Sequence, residues 1–299
     1  MDPLIVNLFG VTRVHPPVPQ PSRHPQPPRK VAELLGYLVM GGRRSYERAE
    51  LADHFWSDQD APRARRCLST AVWRLRQILE PKGVPPGSYL STENAEMVGF
   101  NWASAHLIDA AELEAVLDAT LSIPAEHLTQ TEAQGLEDGL ALCTGDFLAG
   151  VLDTWALRER DRLAARQLDG MAHLLRHKLH TGQYQAALAL GARILERDPL
   201  REDVHRDMMH LNLRTGQRSR AIQQYHACRA LLRQELAIDP APETERAYKT
   251  LCNGTSQDPG TAPEKAMDQA MDRLHRALEE LDRARALVEQ LTRQQPPPV

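Results

Sequence analysis

The stretch APRARRCLSTAVWRLRQIL, residues Ala61–Leu79, decides how this chain is read. It contains five arginines, no acid, and leucines at helical spacing. At 100° per residue, Leu68, Val72, Leu75 and Leu79 fall within about 60° of one another, which makes an apolar stripe. Arg63, Arg66, Thr70, Trp73, Arg74 and Gln77 fall opposite, with Arg65, Ser69 and Arg76 on the flank. An ordinary solvated face mixes signs, because opposite charges four residues apart support a helix and like charges repel. A face of one sign asks for an anionic partner. The chain as a whole is acidic, with formal net charge -4, so this patch is not a by-product of composition.

Working outward, RKVAELLGYLVMGG places Val31, Leu34, Leu35 and Leu38 on one stripe and stops at Gly41-Gly42. YERAELADHFW reads as a second helix, with Leu51, His54 and Phe55 expected to face inward. The Arg-rich helix is the third. After KGVPPG, the segments SYLST and MVGFN, joined by the polar turn 93–96, read as a hairpin. Three helices followed by a hairpin is the order of a winged helix-turn-helix. Ahead of them, LIVNLFGV (residues 4–11) reads as a strand. Residues 16–28, PPVPQPSRHPQPP, hold too many prolines for helix or ladder strand. They read as an extended spacer, with docking to a partner's aromatic groove as the alternative. Charge follows this division. Residues 1–103 hold 13 Lys/Arg against 10 Asp/Glu, and the remainder 23 against 30. A basic end on an acidic body fits nucleic acid meeting one end only.

GRRSYERAELADHFW, ARRCLSTAVWRLRQIL and YLSTENAEMVGFN together resemble the response-regulator-type winged helix of SARP-class bacterial transcriptional activators. Arg74-Leu75-Arg76 matches the family's Arg-Leu-Arg, and Phe55-Trp56 stands where the family has Leu-Trp. The family's N-terminal strands form a simple hairpin. Here the Pro-rich loop interrupts that place, and the N-terminal sheet is left open.

From about Ile108 to Leu251 the chain reads as helix. TGQYQAAL begins at Thr181 and TGQRSRAI at Thr215, a spacing of 34, the tetratricopeptide period. Gly182 and Gly216 fall at tight turns, and Ala187 and Ala221 where paired helices approach closely. Ala221, Tyr225, Cys228 and Leu232 form an inward stripe. GDFLAG (145–150), RERDRLAA (158–165), DPLREDVHRDMM (198–209) and the run 216–244 resemble the bacterial transcriptional activator domain, BTAD, which follows the winged helix in SARP-type regulators. Beyond a Gly/Pro-broken linker, Met267, Met271, Leu274, Leu278, Leu281 and Val288 keep heptad spacing, flawed by Arg285. That stretch reads as a short coiled coil that dimerises the chain or grips a partner, with folding back on the helical body as the alternative.

No phosphate-cradling glycine loop, HExxH or GxSxG occurs, and Cys67, Cys143, Cys228 and Cys252 form no CxxC pair. His173, His177 and His180 share a helix face at metal-compatible spacing, but inside a repeat helix mixed polar faces are ordinary, and no metal is expected. The N-terminus lacks a basic signal region, and no apolar run approaches 18 residues, so the expected location is the cytoplasm.

The expectation is thus a mainly α chain. A winged helix-turn-helix with small β hairpins spans 1–103 and a TPR-like BTAD 104–252. A linker (253–263) and a coiled-coil helix (264–294) follow. It is a non-enzymatic DNA-binding regulator without cofactors. Arg63, Arg66, Ser69 and Thr70 read bases. Arg65, Arg74 and Arg76, with Arg43 and Arg44, hold phosphates. Trp73 faces DNA on the wheel, although a bulky indole there has the alternative of packing under the wing. The resemblance implies promoter repeats and RNA polymerase as partners; the heptad spacing of 264–294 adds a homodimer through that stretch as one of its readings. A protein-interaction adaptor with a vestigial winged helix is the alternative.

Overall fold

A computed structural model describes residues 2–18, 26–91 and 96–253. The Arg-rich stretch is α3 (Ala61–Leu79). Asp60 starts it: its carboxylate accepts from the Arg63 amide at 2.8 Å, satisfying one of the amides a helix start leaves unpaired. Ala64, Leu68, Ala71, Val72, Leu75 and Leu79 are buried. They pack against α1 (Arg29–Met40) and α2 (Arg48–Phe55).

Three short strands back these helices: β3 (Tyr46–Glu47), β4 (Leu90–Ser91) and β5 (Met97–Phe100), in the order β3-β5-β4, all antiparallel. β4 and β5 are the expected hairpin. β3 is an addition: two residues are too few to show an alternating pattern in sequence. Its approach requires Gly99, because a Cβ there would lie 2.7 Å from Ser45 Oγ and 3.2 Å from Ser45 Cα. His54 departs from expectation. It is exposed, with its ring against Tyr37 at 4.8 Å, whereas Leu51 and Phe55 are buried.

The N-terminal sheet, left open by the sequence, is a hairpin after all. β1 (Leu4–Asn7) pairs antiparallel with β2 (Arg13–His15). The Pro-rich loop follows β2 and so does not interrupt the pairing; its residues 19–25 lie outside the described residues. A third strand, β6 (His106–Ile108), joins β1 in parallel, Val6 opposite Ile108. Residues just past the expected boundary at 103 therefore complete the first sheet.

The body is helical: α4 (Asp109–Leu121), α5 (Gln130–Ala141), α6 (Thr154–His180), α7 (Tyr184–Arg197), α8 (Glu202–Arg214), α9 (Arg218–Leu236) and α10 (Pro242–Asn253). The two TGQ turns are built alike. Thr181 Oγ1 donates to the His177 carbonyl and Thr215 Oγ1 to the Leu211 carbonyl, both at 3.0 Å. The Gln183 and Gln217 amides close back on the Lys178 and Asn212 carbonyls at 2.8 and 2.7 Å. Gly182 and Gly216 take φ of +77° and +75°, the left-handed region where a Cβ is penalised. Ala187, Ala221, Tyr225, Cys228 and Leu232 are buried.

One hydrophobic core runs from Leu4 in β1 to Leu211 in α8, crossing from the winged helix into the helical body. The seam is polar at its edges. The buried Asp109 carboxylate accepts from the amides of Leu8, Phe9 and Ala110 at 2.7–3.0 Å. Burial raises its pKa, and those donors oppose the rise. The Leu148 amide donates to the Leu8 carbonyl and the Gly10 amide to Asp146, each at 2.8 Å. Arg160 donates to the carbonyls of Phe147, Leu148 and Val151 at 2.8–2.9 Å. Lys30 reaches Glu33 at 2.8 Å and Asp153, the cap of α6, at 3.5 Å. The GDFLAG motif is thus a clasp on the N-terminal hairpin.

Candidate nucleic-acid interface

The outer face of α3 falls into three strips. The crest carries Arg66, Thr70, Trp73 and Gln77, all exposed. On one flank, Arg63 and Arg74 border a shallow depression of about 440 Å³ that also takes in Lys30, Cys67 and Trp56 and reaches Arg66 and Thr70 of the crest. On the other, Arg65 and Ser69 border a depression of about 520 Å³ with Arg48 and Glu96. Arg48 donates from Nη2 to Ser69 Oγ at 3.2 Å, and Ser69 Oγ donates to the Arg65 carbonyl at 2.8 Å. The Thr70 hydroxyl likewise donates to the Arg66 carbonyl, at 3.0 Å. Both hydroxyls retain acceptor lone pairs.

The side chains of Arg63, Arg65, Arg66 and Arg74 make no ion pair and no hydrogen bond among the described residues, and all four are exposed. Such unpaired cations on one helix face are poised for an external anion. Arg76 sits differently. It is about two-thirds buried, and its Nε lies 3.3 Å from Oε2 of the buried Glu80. Oε1 of Glu80 accepts from the amides of Tyr89 and Leu90 at 2.9 and 3.0 Å. Arg76 and Glu80 therefore tie the end of α3 to β4. Arg44 pairs with Glu50 at 2.8 Å and lies over the Tyr46 ring, while Arg43 is exposed near Trp102.

Trp73 is 61% exposed and does not pack under the wing. The sequence reading overlooked Arg48 and Lys30. Arg48 is the first residue of α2, the helix that leads into the helix-turn-helix, and that position was its signal. Lys30 has no local signal, since only the tertiary fold brings it beside α3. The histidine face holds no metal cluster among the described residues. His177 Nδ1 lies 3.1 Å from the Ala125 carbonyl, and His180 is exposed at the helix end. No helix among the described residues is long and apolar enough to cross a membrane.

A three-helix unit with a wing, locked to a helical-repeat body, defines the class: a winged-helix protein with an attached helical domain. Residues 108–252 match the family profile of the bacterial transcriptional activator domain. The regulatory protein AfsR of Streptomyces coelicolor is 28% identical over 210 residues, 70% of this chain and 20% of that one. The transcriptional regulator RedD of the same organism is 24% identical over 241 residues, 77% and 65% of the two chains. The transcriptional regulatory protein MoaR1 of Mycobacterium bovis is 23% identical over 270 residues, 86% and 79%. This chain spans about a fifth of the length of AfsR. The structure of Mycobacterium tuberculosis EmbR, in complex with a low affinity phosphopeptide, superimposes with a TM-score of 0.72 at 17% identity. It covers 92% of this chain and 72% of that one, a shared fold. Residues 108–252 thus carry a bacterial transcriptional activator domain, and the chain shares its overall fold with EmbR.

Proposed function

We propose that this protein regulates transcription by laying α3 in the major groove of promoter DNA. The observation that carries the reading is the set of four exposed guanidinium groups, Arg63, Arg65, Arg66 and Arg74, with no partner among the described residues. On this reading the crest meets base edges and the flanks meet the two phosphate backbones. Arg66 is the guanine reader, since Arg pairs in bidentate fashion with O6 and N7. Thr70 and Ser69 supplement it from the crest and its edge. Arg63 and Arg74 hold one backbone; Arg65 and Arg48 hold the other. Arg63 thereby moves from base reading to phosphate holding, and Arg76 supports the wing. Relatives of similar build are named as transcriptional regulators, not as enzymes. Activation through RNA polymerase, binding of promoter repeats, a cytoplasmic location and dimerisation through residues 264–294 belong to the same proposal. That last segment lies outside the described residues.

An apolar groove gives the adaptor reading its one foothold. Ile5 and Leu107, paired across β1 and β6, are exposed beside Leu142, with Glu112 and Asp138 at the rim. A regulator that also docks a protein uses both surfaces. The deciding experiment is a gel shift of the full chain with the DNA upstream of its own and neighbouring genes. A retarded, sequence-selective complex is expected, and its absence favours the adaptor.

A further inference from the structure

We propose that Trp73 reads the C5-methyl group of a thymine, so that α3 selects its site by an apolar contact as well as by Arg66. The inference rests on the DNA-binding reading above. The chain has 4 Trp, 6 Tyr and 4 Phe. Of these fourteen rings, Trp73 alone is exposed. Trp56, Trp102 and Trp155 are partly buried against other rings. Leaving an indole in water forfeits a large apolar burial. The fold has room for another residue there, because the ring is 61% exposed and joins neither hydrophobic core.

Its surroundings limit what covers it. The same strip holds Arg66, Thr70 and Gln77, and Arg74 is adjacent, so a greasy protein surface would have to desolvate these polar neighbours. Phosphates are better served by the flanking arginines than by an uncharged ring with a single N–H. Within an intact duplex the bases are stacked, which leaves base edges to a crest residue. The apolar feature that a major groove offers is the thymine methyl. Trp73 lies seven residues beyond Arg66. At 1.5 Å per residue that is about 10 Å along the helix, roughly three base pairs if the helix follows the groove. The thymine is therefore expected about three base pairs from the guanine met by Arg66.

The test uses the full chain and a duplex selected from a random pool. Each thymine is replaced in turn by deoxyuridine, which keeps pairing and removes only the methyl. The parent protein is expected to lose about 3- to 10-fold in affinity at one or two positions and nothing at the others. Trp73→Ala, with an unchanged circular dichroism spectrum, is expected to bind the thymine and uracil duplexes equally, at the weaker value. Trp73→Phe should keep part of the discrimination. Uniform tolerance of uracil by the parent protein overturns the proposal. So does a Trp73→Ala variant that still discriminates or binds like the parent. Failure to enrich any duplex removes the DNA-binding reading itself, and this inference with it.

Discussion

Arg66 and Arg74 lie on the same helix, two turns apart, and the proposed docking gives them different work. Both line the depression beside Lys30, but by helical angle Arg66 falls with Thr70 and Trp73 on the crest and Arg74 falls toward the flank. Arg66→Ala is therefore expected to cost about 1–3 kcal/mol against the cognate site and little against random DNA. Arg74→Ala should weaken both alike and reduce the salt dependence by about one unit of slope. Fluorescence anisotropy on cognate and scrambled duplexes at several salt concentrations separates the two. The residue scale also shows what a helical wheel leaves out. It set Arg76 among the phosphate contacts by angle alone, but the buried Glu80 four residues on draws it toward the wing. Conversely, the wheel placed Trp73 outward correctly, since nothing in the tertiary structure competes for that direction.

At the scale of elements, legibility followed length and period. α1, α3 and the paired repeat helices announce themselves through apolar spacing, and α1 and the repeats also through Gly or Thr-Gly-Gln stops. β3 and β6, of two and three residues, are strands only because partners lie alongside. The same holds for Asp109, whose role comes from amides some 100 positions away in sequence. The repeated turn gives a local test. Nothing lies within 4 Å of a Cβ added at Gly182 or Gly216, so Ala at either position meets only backbone strain at positive φ. Gly182→Ala and Gly216→Ala should each lower stability by about 1–2 kcal/mol. Thermal unfolding reads that loss, and similar values at the two sites are expected because the turns match bond for bond.

At the scale of the whole molecule, one core spans the seam between the winged helix and the helical body, and a second, around Met209, Ala221, Tyr225 and Leu251, holds the last described helices. An ion network reinforces the repeats. Arg176 meets Asp203 and Asp207 at 2.7 and 2.8 Å, and Arg201 meets Asp203 and Asp169, each at 2.8 Å. Burial alone would raise the Asp203 carboxyl, but the hydrogen bonds from Arg201 and Arg176 outweigh it and hold the pKa well below the usual range. A carboxyl depressed in the folded state stabilises above its unfolded value, near 4, and that stabilisation fades as pH falls below it. The melting temperature should thus fall more steeply below about pH 5 in the parent than in Asp203→Asn, which starts lower at pH 7. At this scale the segment beyond residue 253 also enters. Deleting residues 257–299 should halve the solution mass, by light scattering, if that segment joins two chains. An unchanged mass assigns it another role.

The central claim, that the cationic face of α3 neutralises a duplex, is tested most directly by the salt dependence of the intact protein's affinity for promoter DNA. With contacts on both flanks of α3, log K against log salt is expected to fall with a slope of about −3 to −5. It should become shallower when Arg63, Arg65 and Arg74 are together replaced by Ala. A slope near zero, or one untouched by the triple substitution, contradicts the account.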